Sequence, residues 1–305
     1  GGAGTRLHCL TQCHAKPAIH FAGKYRAIDF SLSNCLHSGI RRISVLTQYK
    51  SHSLNLHLQQ GWSFLRPELN EYVEILPAQQ RINGNWYAGT ADAVYQNLDI
   101  IADQNPRYVV LLAGDHIYKM DYRQMLHQHV NSRSDMTLAC LEVPLEEAKG
   151  FGVIQMNDIQ HIVHFEEKPI NPRPIPGQPQ RALVSMGIYI FNWLFLRQIL
   201  LMDAADSLSG HDFGKDIIPR WISKARLGAY QFRDNSGNFP GYWRDIGTID
   251  AYFDAHMDLL QKNAPLNLYD RDWPIFSYSP FLPPAHFMQH NDNVHGIALD
   301  SMICD

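Results

Sequence analysis

Hydrophobic residues in the first half of the chain fall into a repeating order of helical and extended segments. The strongest signal is the almost continuous apolar run at residues 108–113, which predicts a buried central strand ending at Gly114-Asp115-His116. Upstream, the spacing predicts helices at 29–38, 51–60 and 90–101, with Thr90 as an N-cap, and strands at 42–46 and 73–76. This alternation predicts an α/β domain whose parallel sheet is covered on both faces.

The second half of the pattern adds antiparallel character. Extended runs follow one another closely at 136–143, 151–156, 161–167 and 186–191, and helical spacing occurs at 121–131, 193–202, 211–223 and 250–261. Strands that are joined by short connections usually pair antiparallel. The predicted fold is therefore α/β with a mixed, mostly parallel sheet.

Prolines mark a surface loop and a domain boundary. Four of them fall within residues 171–179, and another group lies between 274 and 284. We therefore assign residues 1–262 to a first domain and residues 263–292 to a linker. Scattered aliphatic residues in 293–305 predict the start of a second, all-β domain.

Composition narrows the functional classes. The chain has 305 residues, 45% of them hydrophobic, and a formal charge of -4, with no Lys/Arg run that could follow a nucleic-acid backbone. Its apolar runs are far shorter than the roughly 18 residues of a membrane span, so we expect neither nucleic acid nor membrane as a partner. Five scattered cysteines without a Cys-x-x-Cys pair favour reduced thiols in the cytoplasm, and the histidine spacing does not indicate zinc.

The first residues, Gly-Gly-Ala-Gly-Thr-Arg-Leu (1–7), are typical of a loop that holds phosphate. Glycines let backbone N–H groups approach an anion, and Arg6 adds positive charge. A simple turn is the alternative for this segment taken alone. Lys16 is a second candidate cation. Because such a loop normally follows a buried strand, we expect one before Gly1.

Two carboxylates are candidates for a metal site. Asp115 stands at the end of the apolar strand, where open α/β sheets form their ligand crevice, and Asp245 precedes Gly247-Thr248 at a predicted helix start. Taken singly, a turn or a helix cap explains each equally well. Together beside a phosphate they suit Mg²⁺, which binds one or two carboxylates plus phosphate oxygens.

A further charged pair, Glu167-Lys168, ends an extended run just before a proline. Lys168 can place a point charge on a phosphate, and Glu167 can accept hydrogen bonds from sugar hydroxyls. Tyr87 and Trp86 can flank a sugar or base, although core packing is the commoner role of aromatic residues. The pattern includes no nucleophile beside a base, which favours direct transfer by positioning and charge stabilisation.

Several motifs together resemble one family, the bacterial glucose-1-phosphate adenylyltransferases, also called ADP-glucose pyrophosphorylases. The resemblance covers essentially the whole chain. It rests on the glycine loop, Ser-Asn-Cys at 33–35, Pro-Ala-Gln-Gln-Arg at 77–81, Asn-Trp-Tyr-Ala-Gly-Thr-Ala-Asp-Ala at 85–93, Gly-Asp-His at 114–116, Glu-Lys-Pro at 167–169, His-Asp-Phe-Gly-Lys-Asp at 211–216 and Tyr-Trp-Arg-Asp-Ile-Gly-Thr at 242–248.

This resemblance implies transfer of the adenylyl group of ATP to glucose 1-phosphate, giving ADP-glucose and pyrophosphate for glycogen synthesis. The implied catalytic residues are Arg6, Lys16, Asp115 and Lys168. Glucose 1-phosphate would be bound by Tyr87, Gly152, Glu167, Lys168 and Ser185, the nucleotide by Gly1, Gly2, Thr5, Arg6, Gln79, Gly89 and Thr90, and Mg²⁺ by Asp115 and Asp245.

The resemblance also implies a Rossmann-like nucleotidyltransferase domain followed by a left-handed parallel β-helix domain, of which this chain carries the start, and a homotetramer of the full-length protein. His20 and Arg26 match the region that contacts effectors. Cys13, His14 and Asp103 stand where enteric members carry basic residues. These side chains attract anions poorly, so we expect a weak or altered response to fructose 1,6-bisphosphate.

Two alternatives remain open on the sequence. A related sugar-phosphate nucleotidyltransferase that uses another nucleoside triphosphate would share the phosphate-binding motifs. A non-catalytic regulatory subunit would share the fold, although such subunits tend to lose a key lysine or a metal ligand, and this chain keeps all of them.

Overall fold

The computed structural model describes residues 4–79, 86–234, 237, 239–285, 298–299 and 301–304. Its strands are β1 (His20–Phe21), β2 (Tyr25–Arg26), β3 (Arg42–Thr47), β4 (Tyr72–Pro77), β5 (Tyr108–Leu111), β6 (His116–Tyr118), β7 (Met136–Pro144), β8 (Gly152–Met156), β9 (Ile162–Glu167), β10 (Arg181–Asn192), β11 (Leu227–Gln231) and β12 (Trp243–Asp245). The α-helices are α1 (Ala27–His37), α2 (His52–Gly61), α3 (Thr90–Tyr95), α4 (Leu98–Asp103), α5 (Tyr122–Asn131), α6 (Trp193–Ala204), α7 (Ile218–Trp221) and α8 (Ile249–Leu259). Short 3-10 turns occupy Thr5–Thr11, Lys16–Ala18, Pro67–Leu69 and Glu147–Gly150, and a π-helical turn occupies Phe213–Ile217.

A mixed sheet lies at the centre, with the strand order β11–β7–β10–β8–β9 and with β5 also paired to β10. The apolar run at 108–113 does form a strand, but the prediction that it is buried and central is wrong for the described residues, because β5 is only partly buried and pairs with β10 alone among the described strands. The mixed character is confirmed. The prediction that the sheet is mostly parallel is wrong for the described strands, in which only β3–β4 and β7–β11 pair parallel. Hydrophobic patterning reports which residues are buried but not strand direction, and β10 returns antiparallel beside β5, β7 and β8.

Alternating residues of β7 build the core on both faces of this sheet. Met136, Leu138 and Cys140 pack in one cluster with α6 and α7, whereas Leu141 and Val143 belong to a second cluster with α5. This period of two follows from the pleat of a strand. The sheet is thereby fixed between two helical layers, and its strand ends are held in place.

The predicted helix at 90–101 is two helices in the structure. The chain breaks at Gln96–Asn97 between α3 and α4. Asn97 donates from Nδ2 both to the Ala93 carbonyl, 2.8 Å away, and to the Tyr87 hydroxyl at 3.0 Å. An asparagine side chain that bonds to nearby backbone competes with helix propagation, which accounts for the break.

Helix α1 lies entirely in the interior, with every residue from 27 to 36 buried. Its polar residues are therefore hydrogen-bonded. The carboxylate of Asp29 accepts four bonds of 2.7–2.9 Å, from His57 Nε2, Trp62 Nε1, the Arg26 N–H and Ser277 Oγ. One buried side chain thus joins α1, α2 and the segment that follows α8.

That following segment, predicted as a linker, lies against α1. Trp273 Nε1 donates to Asn34 Oδ1 at 2.9 Å, and the Phe276 N–H donates to Ser33 Oγ at 2.8 Å. Residues 263–285 contain no helix or strand, and Leu266 and Ile275 are buried. We call residues 273–278 the strap.

The predicted second domain is described only at residues 298–299 and 301–304, which form neither helix nor strand. The left-handed β-helix that the family resemblance implies for this domain therefore stays a prediction. Over the described part of the chain, no helix combines the length and the apolar character needed to cross a bilayer.

The four hydrogen bonds to Asp29 predict that replacing this residue destabilises the fold strongly. Asp29→Ala should lower the free energy of unfolding by about 3–5 kcal/mol, because it leaves buried donors of His57 and Trp62 without an acceptor. Urea denaturation measures this directly. Asp254→Ala, at an exposed position of α8, is the control and should stay within about 0.5 kcal/mol of wild type. Equal stability of the two variants would contradict the assignment.

Candidate active site

The pairing of β6 with β12 brings the two candidate metal carboxylates together. In its antiparallel register, Asp245 lies opposite His116, the residue after Asp115. The two carboxylates are 130 positions apart in sequence but adjacent at one sheet edge. Thr248 then caps α8 by accepting from the Ala251 N–H at 3.2 Å, as expected of a helix start after Gly247.

Lys16 lies between these carboxylates. Its Nζ is 2.8 Å from Asp115 Oδ2 and 2.8 Å from Asp245 Oδ1. Burial lowers the pKa of the Lys16 ammonium, but the charges and hydrogen bonds of the two aspartates outweigh burial and hold the pKa above its ordinary value. Burial raises the pKa of Asp115, and His116 and Lys16 more than offset this, so its pKa is lowered. Both groups are therefore ionised around neutral pH.

The described part of the glycine loop, from Gly4 onwards, approaches the carboxylate of Asp245. Gly4 adopts a left-handed φ of 66°, and its carbonyl accepts from Thr11 Oγ1 at 2.8 Å. Arg6 is exposed, and its Nη2 lies 3.1 Å from the point where a Cβ on Gly247 would stand, beside both oxygens of Asp245. Thr5 begins the Thr5–Thr11 turn, whereas Gly1 and Gly2 lie outside the described residues.

Glu167 and Lys168 form a second charged group at the end of β9. Lys168 Nζ lies 3.3 Å from Glu167 Oε1, and the Lys168 backbone has a left-handed φ of 50°. Strain of this kind persists only where the surroundings enforce it, and it often marks functional sites. Here the Lys168 N–H donates to the Phe151 carbonyl at 3.0 Å, which fixes the turn.

Gly152 lies opposite Glu167 across the β8–β9 pair. A Cβ at Gly152 would collide with the Phe165 ring and stand 2.9 Å from Glu167 Oε2, so only glycine fits there. The structure thus brings Gly152, Glu167 and Lys168 together, as the sequence predicts for a sugar-phosphate site.

Ser185 begins a bulge in β10, where the register with β7 shifts between Ser185 and Tyr189. Its Oγ accepts from the Gly187 N–H at 3.1 Å. A Cβ on Gly187 would lie 3.6 Å from Cε1 of His116. The bulge therefore lies beside His116, the residue that follows Asp115.

Tyr87, Gly89 and Thr90 lie on one segment that leads into α3. Gln48 Oε1 accepts from the Tyr87 N–H at 2.9 Å, and Gly89 packs directly against the carbonyl of His211. Gln79 is exposed two residues beyond β4. The prediction that Thr90 caps this helix is wrong: Gly89 is the N-cap, and Thr90 Oγ1 instead donates to Asp212 Oδ2 at 3.1 Å and accepts from the Phe213 N–H at 3.1 Å.

From the sequence, Asp212 and Trp243 are named only within motifs and are assigned no role, and Gln48 is not named. Trp243 packs edge-on against His116 with ring centroids 4.9 Å apart. The role of Asp212 as an N-cap could have been predicted, since Asp is common just before a helical run. In the structure its Oδ1 accepts from the N–H groups of Gly214 and Lys215. The role of Gln48 could not have been predicted, because its contact with Tyr87 joins distant segments.

The chain is similar in sequence to known proteins over nearly its whole length. The profile of the nucleotidyl transferase family matches residues 1–262. Three relatives resemble the chain over 99% of its length and 72% of their own: the glucose-1-phosphate adenylyltransferases of Methylococcus capsulatus and Nitrosococcus oceani, each 55% identical, and glucose-1-phosphate adenylyltransferase 2 of Alkalilimnicola ehrlichii, 56% identical. The chain belongs to the glucose-1-phosphate adenylyltransferase family.

For this adenylyltransferase family member, the expected effector region is a short β1–β2 hairpin in which His20 pairs with Arg26. Arg26 Nη1 donates to the Ala18 carbonyl at 3.0 Å, and the His20 carbonyl accepts from the Tyr252 hydroxyl at 2.9 Å. Burial, followed by the charge of Arg26, lowers the pKa of His20. The hairpin is therefore tied to the 3-10 turn that carries Lys16.

Two glycines in one segment allow a matched test of the adenylyltransferase site. Gly152→Ala should lower the free energy of unfolding by about 1–3 kcal/mol, because its methyl group must displace Phe165 and Glu167. Gly150→Ala should be tolerated, since a Cβ there meets nothing within 4 Å. Urea denaturation of both variants is the measurement. A tolerated Gly152→Ala would show that Glu167 is not held in this position.

Proposed function

We propose that the protein transfers the adenylyl group of ATP to glucose 1-phosphate, forming ADP-glucose and pyrophosphate. The observation that carries the proposal is the Lys16 ammonium, 2.8 Å from both Asp115 and Asp245 and beside the glycine loop. Membership of the glucose-1-phosphate adenylyltransferase family supports it.

On the sugar side, Glu167 accepts hydrogen bonds from glucose hydroxyls, and Lys168 neutralises the phosphate. Their ion pair of 3.3 Å supports this division, since it keeps the acceptor and the cation side by side. Tyr87, Gly152 and Ser185 complete the sugar-phosphate site. Lys168 is 55% exposed in its side chain, so it is free to turn from Glu167 towards an arriving phosphate.

On the nucleotide side, the glycine loop and Arg6 hold the triphosphate. Backbone N–H groups and a guanidinium suit its charged oxygens. The remaining nucleotide residues of the proposal are Gly1, Gly2, Thr5, Gln79, Gly89 and Thr90.

We propose that Asp115 and Asp245 hold Mg²⁺ together with phosphate oxygens. Two carboxylates that contact the same ammonium nitrogen are close enough to share one ion, and oxygen ligands are those that Mg²⁺ prefers. The described residues contain no group of three or more His, Cys, Asp or Glu side chains that could hold a metal alone, which accords with a metal that needs the substrate's phosphates. When bound, Mg²⁺ supplies charge neutralisation on the triphosphate.

In the reaction, a phosphate oxygen of glucose 1-phosphate attacks the α-phosphorus of ATP. The bond from that phosphorus to the oxygen bridging the β-phosphate breaks, and pyrophosphate leaves with the electron pair. The attacking oxygen is already anionic, so no general base is required. Lys16 and Arg6 stabilise the negative charge that develops on the leaving group.

We further propose the wider setting that the family resemblance implies. ADP-glucose serves glycogen synthesis in the cytoplasm, and the full-length protein assembles as a homotetramer. Small anionic effectors bind near His20 and Arg26, which pair across one hairpin and of which Arg26 supplies the positive charge.

A nucleotide panel tests the proposed reaction. Pyrophosphate release from glucose 1-phosphate and Mg²⁺ should occur with ATP and be far slower with UTP, dTTP or GTP. Asp115→Asn should reduce the rate with ATP at least about a hundredfold, since it removes charge at the metal and beside Lys16. Preference for another nucleotide would move the protein to a related enzyme class, and silence with all four from a folded sample would favour a regulatory subunit.

Neighbouring glutamates of β9 test the sugar site. Glu167→Gln should raise the KM for glucose 1-phosphate about tenfold, because hydrogen bonds from sugar hydroxyls to a charged acceptor are lost. Glu166→Gln is the control, since alternate residues of a strand point to opposite faces and Glu166 instead lies 3.6 Å from His164. Steady-state kinetics with both variants would refute the assignment if the two KM values rose equally.

A further inference from the structure

The loop that contains His211 is anchored by a buried carboxylate outside the site described above. Asp203, in the last turn of α6, is 3% exposed. Its Oδ1 accepts from Ser209 Oγ at 2.6 Å, and its Oδ2 accepts from His211 Nδ1 at 2.8 Å. A carboxylate oxygen accepts, so the Nδ1–H of His211 is the donor in this bond.

This anchor maintains an unfavourable backbone conformation. His211 has a left-handed φ of 55°, which is uncommon for a residue with a side chain. The Ser209 hydroxyl that donates to Asp203 also accepts from the His211 N–H at 3.0 Å. The turn is therefore held through both the ring and the backbone of His211.

The turn at His211 holds residues 211–214 against Gly89 and Thr90, which the proposed function assigns to the nucleotide. The His211 carbonyl accepts from the Ala91 N–H at 2.8 Å and lies so close to Gly89 that no Cβ fits there. The next residue, Asp212, accepts from Thr90 Oγ1 at 3.1 Å. The positions of Gly89 and Thr90 thus depend on the conformation of His211.

The same loop also touches the proposed sugar site. A Cβ on Gly214 would stand 2.7 Å from Glu167 Oε2, so the loop backbone packs directly on that carboxylate. One short segment, residues 211–214, therefore contacts Thr90 on one side and Glu167 on the other.

We propose that Asp203 and His211 are positioning residues that fix the spacing between the nucleotide-binding segment and Glu167. The inference rests on the proposed function, because it assigns Thr90 to the nucleotide and Glu167 to the sugar. Neither Asp203 nor His211 needs to touch a substrate. Weakening their bond shifts both substrate sites together, whereas loss of a direct contact affects one substrate.

Two substitutions at His211 separate the side-chain bond from the backbone strain. Both asparagine and glycine tolerate a left-handed φ, but only asparagine can donate to Asp203 from a similar position. His211→Gly should therefore raise the KM values for ATP and for glucose 1-phosphate together, each by about tenfold. His211→Asn should keep the KM values for ATP and for glucose 1-phosphate within about threefold of wild type, because the bond to Asp203 is retained.

A pair of aspartates provides the second test and its control. Asp203→Ala should reproduce the joint rise in both KM values, because it removes both oxygens that accept from Ser209 and His211. Asp206→Ala, which removes the ion pair between Asp206 and Arg220 of α7, is the matched control and should leave both KM values unchanged. Thermal unfolding is measured alongside, and kinetics are taken at a temperature at which every variant is folded.

The results distinguish failure of the positioning role from failure of the proposed function. Wild-type enzyme without ATP-dependent pyrophosphate release would refute the proposed function itself. Active wild type with unchanged KM values in folded His211→Gly would overturn the positioning role, as would a rise for one substrate only. Equal effects of His211→Gly and His211→Asn would also overturn it, since the bond to Asp203 would then be irrelevant.

Discussion

The ion pairs of Lys16 with Asp115 and Asp245 are the constraint around which the site is organised. Two carboxylates at one sheet edge repel each other unless a cation lies between them. Lys16 supplies that cation from a 3-10 turn near the start of the chain, while Asp245 comes from β12, the last of the described strands. The pairs therefore hold together segments that no local interaction would unite.

The positions of these three charged side chains depend on strand pairing and on packing of the core. Asp115 and Asp245 meet because β6 and β12 pair in one register, and a shift by one residue would turn Asp245 to the other face. Lys16 reaches them because its turn packs beside the buried helix α1. The geometry of this sheet edge thus follows from the hydrophobic packing behind it.

Much of this could be predicted from the sequence, because local signals are strong where a strand or a helix is regular. The strand before Asp115, the helix after Thr248 and the close pairing of Glu167 with Lys168 all follow from such signals. What could not be predicted depends on distant partners: the direction of β10, the break at Asn97, and Thr90 bonding to Asp212 instead of capping its helix. Residue patterns describe burial, whereas these features depend on which segments meet in three dimensions.

The strap over α1 has a consequence for the order of assembly. Ser277 and Asp29 are 248 positions apart, and Phe276 and Ser33 are 243 apart, yet their bonds complete the polar groups of the innermost helix. A ribosome must therefore synthesise the whole first domain and the strap that follows it before α1 can acquire its final partners. Contacts of such long range slow folding, because the chain loses loop entropy before it gains them. Until the strap has been made, Ser33 and Asp29 lack partners that they have in the folded protein.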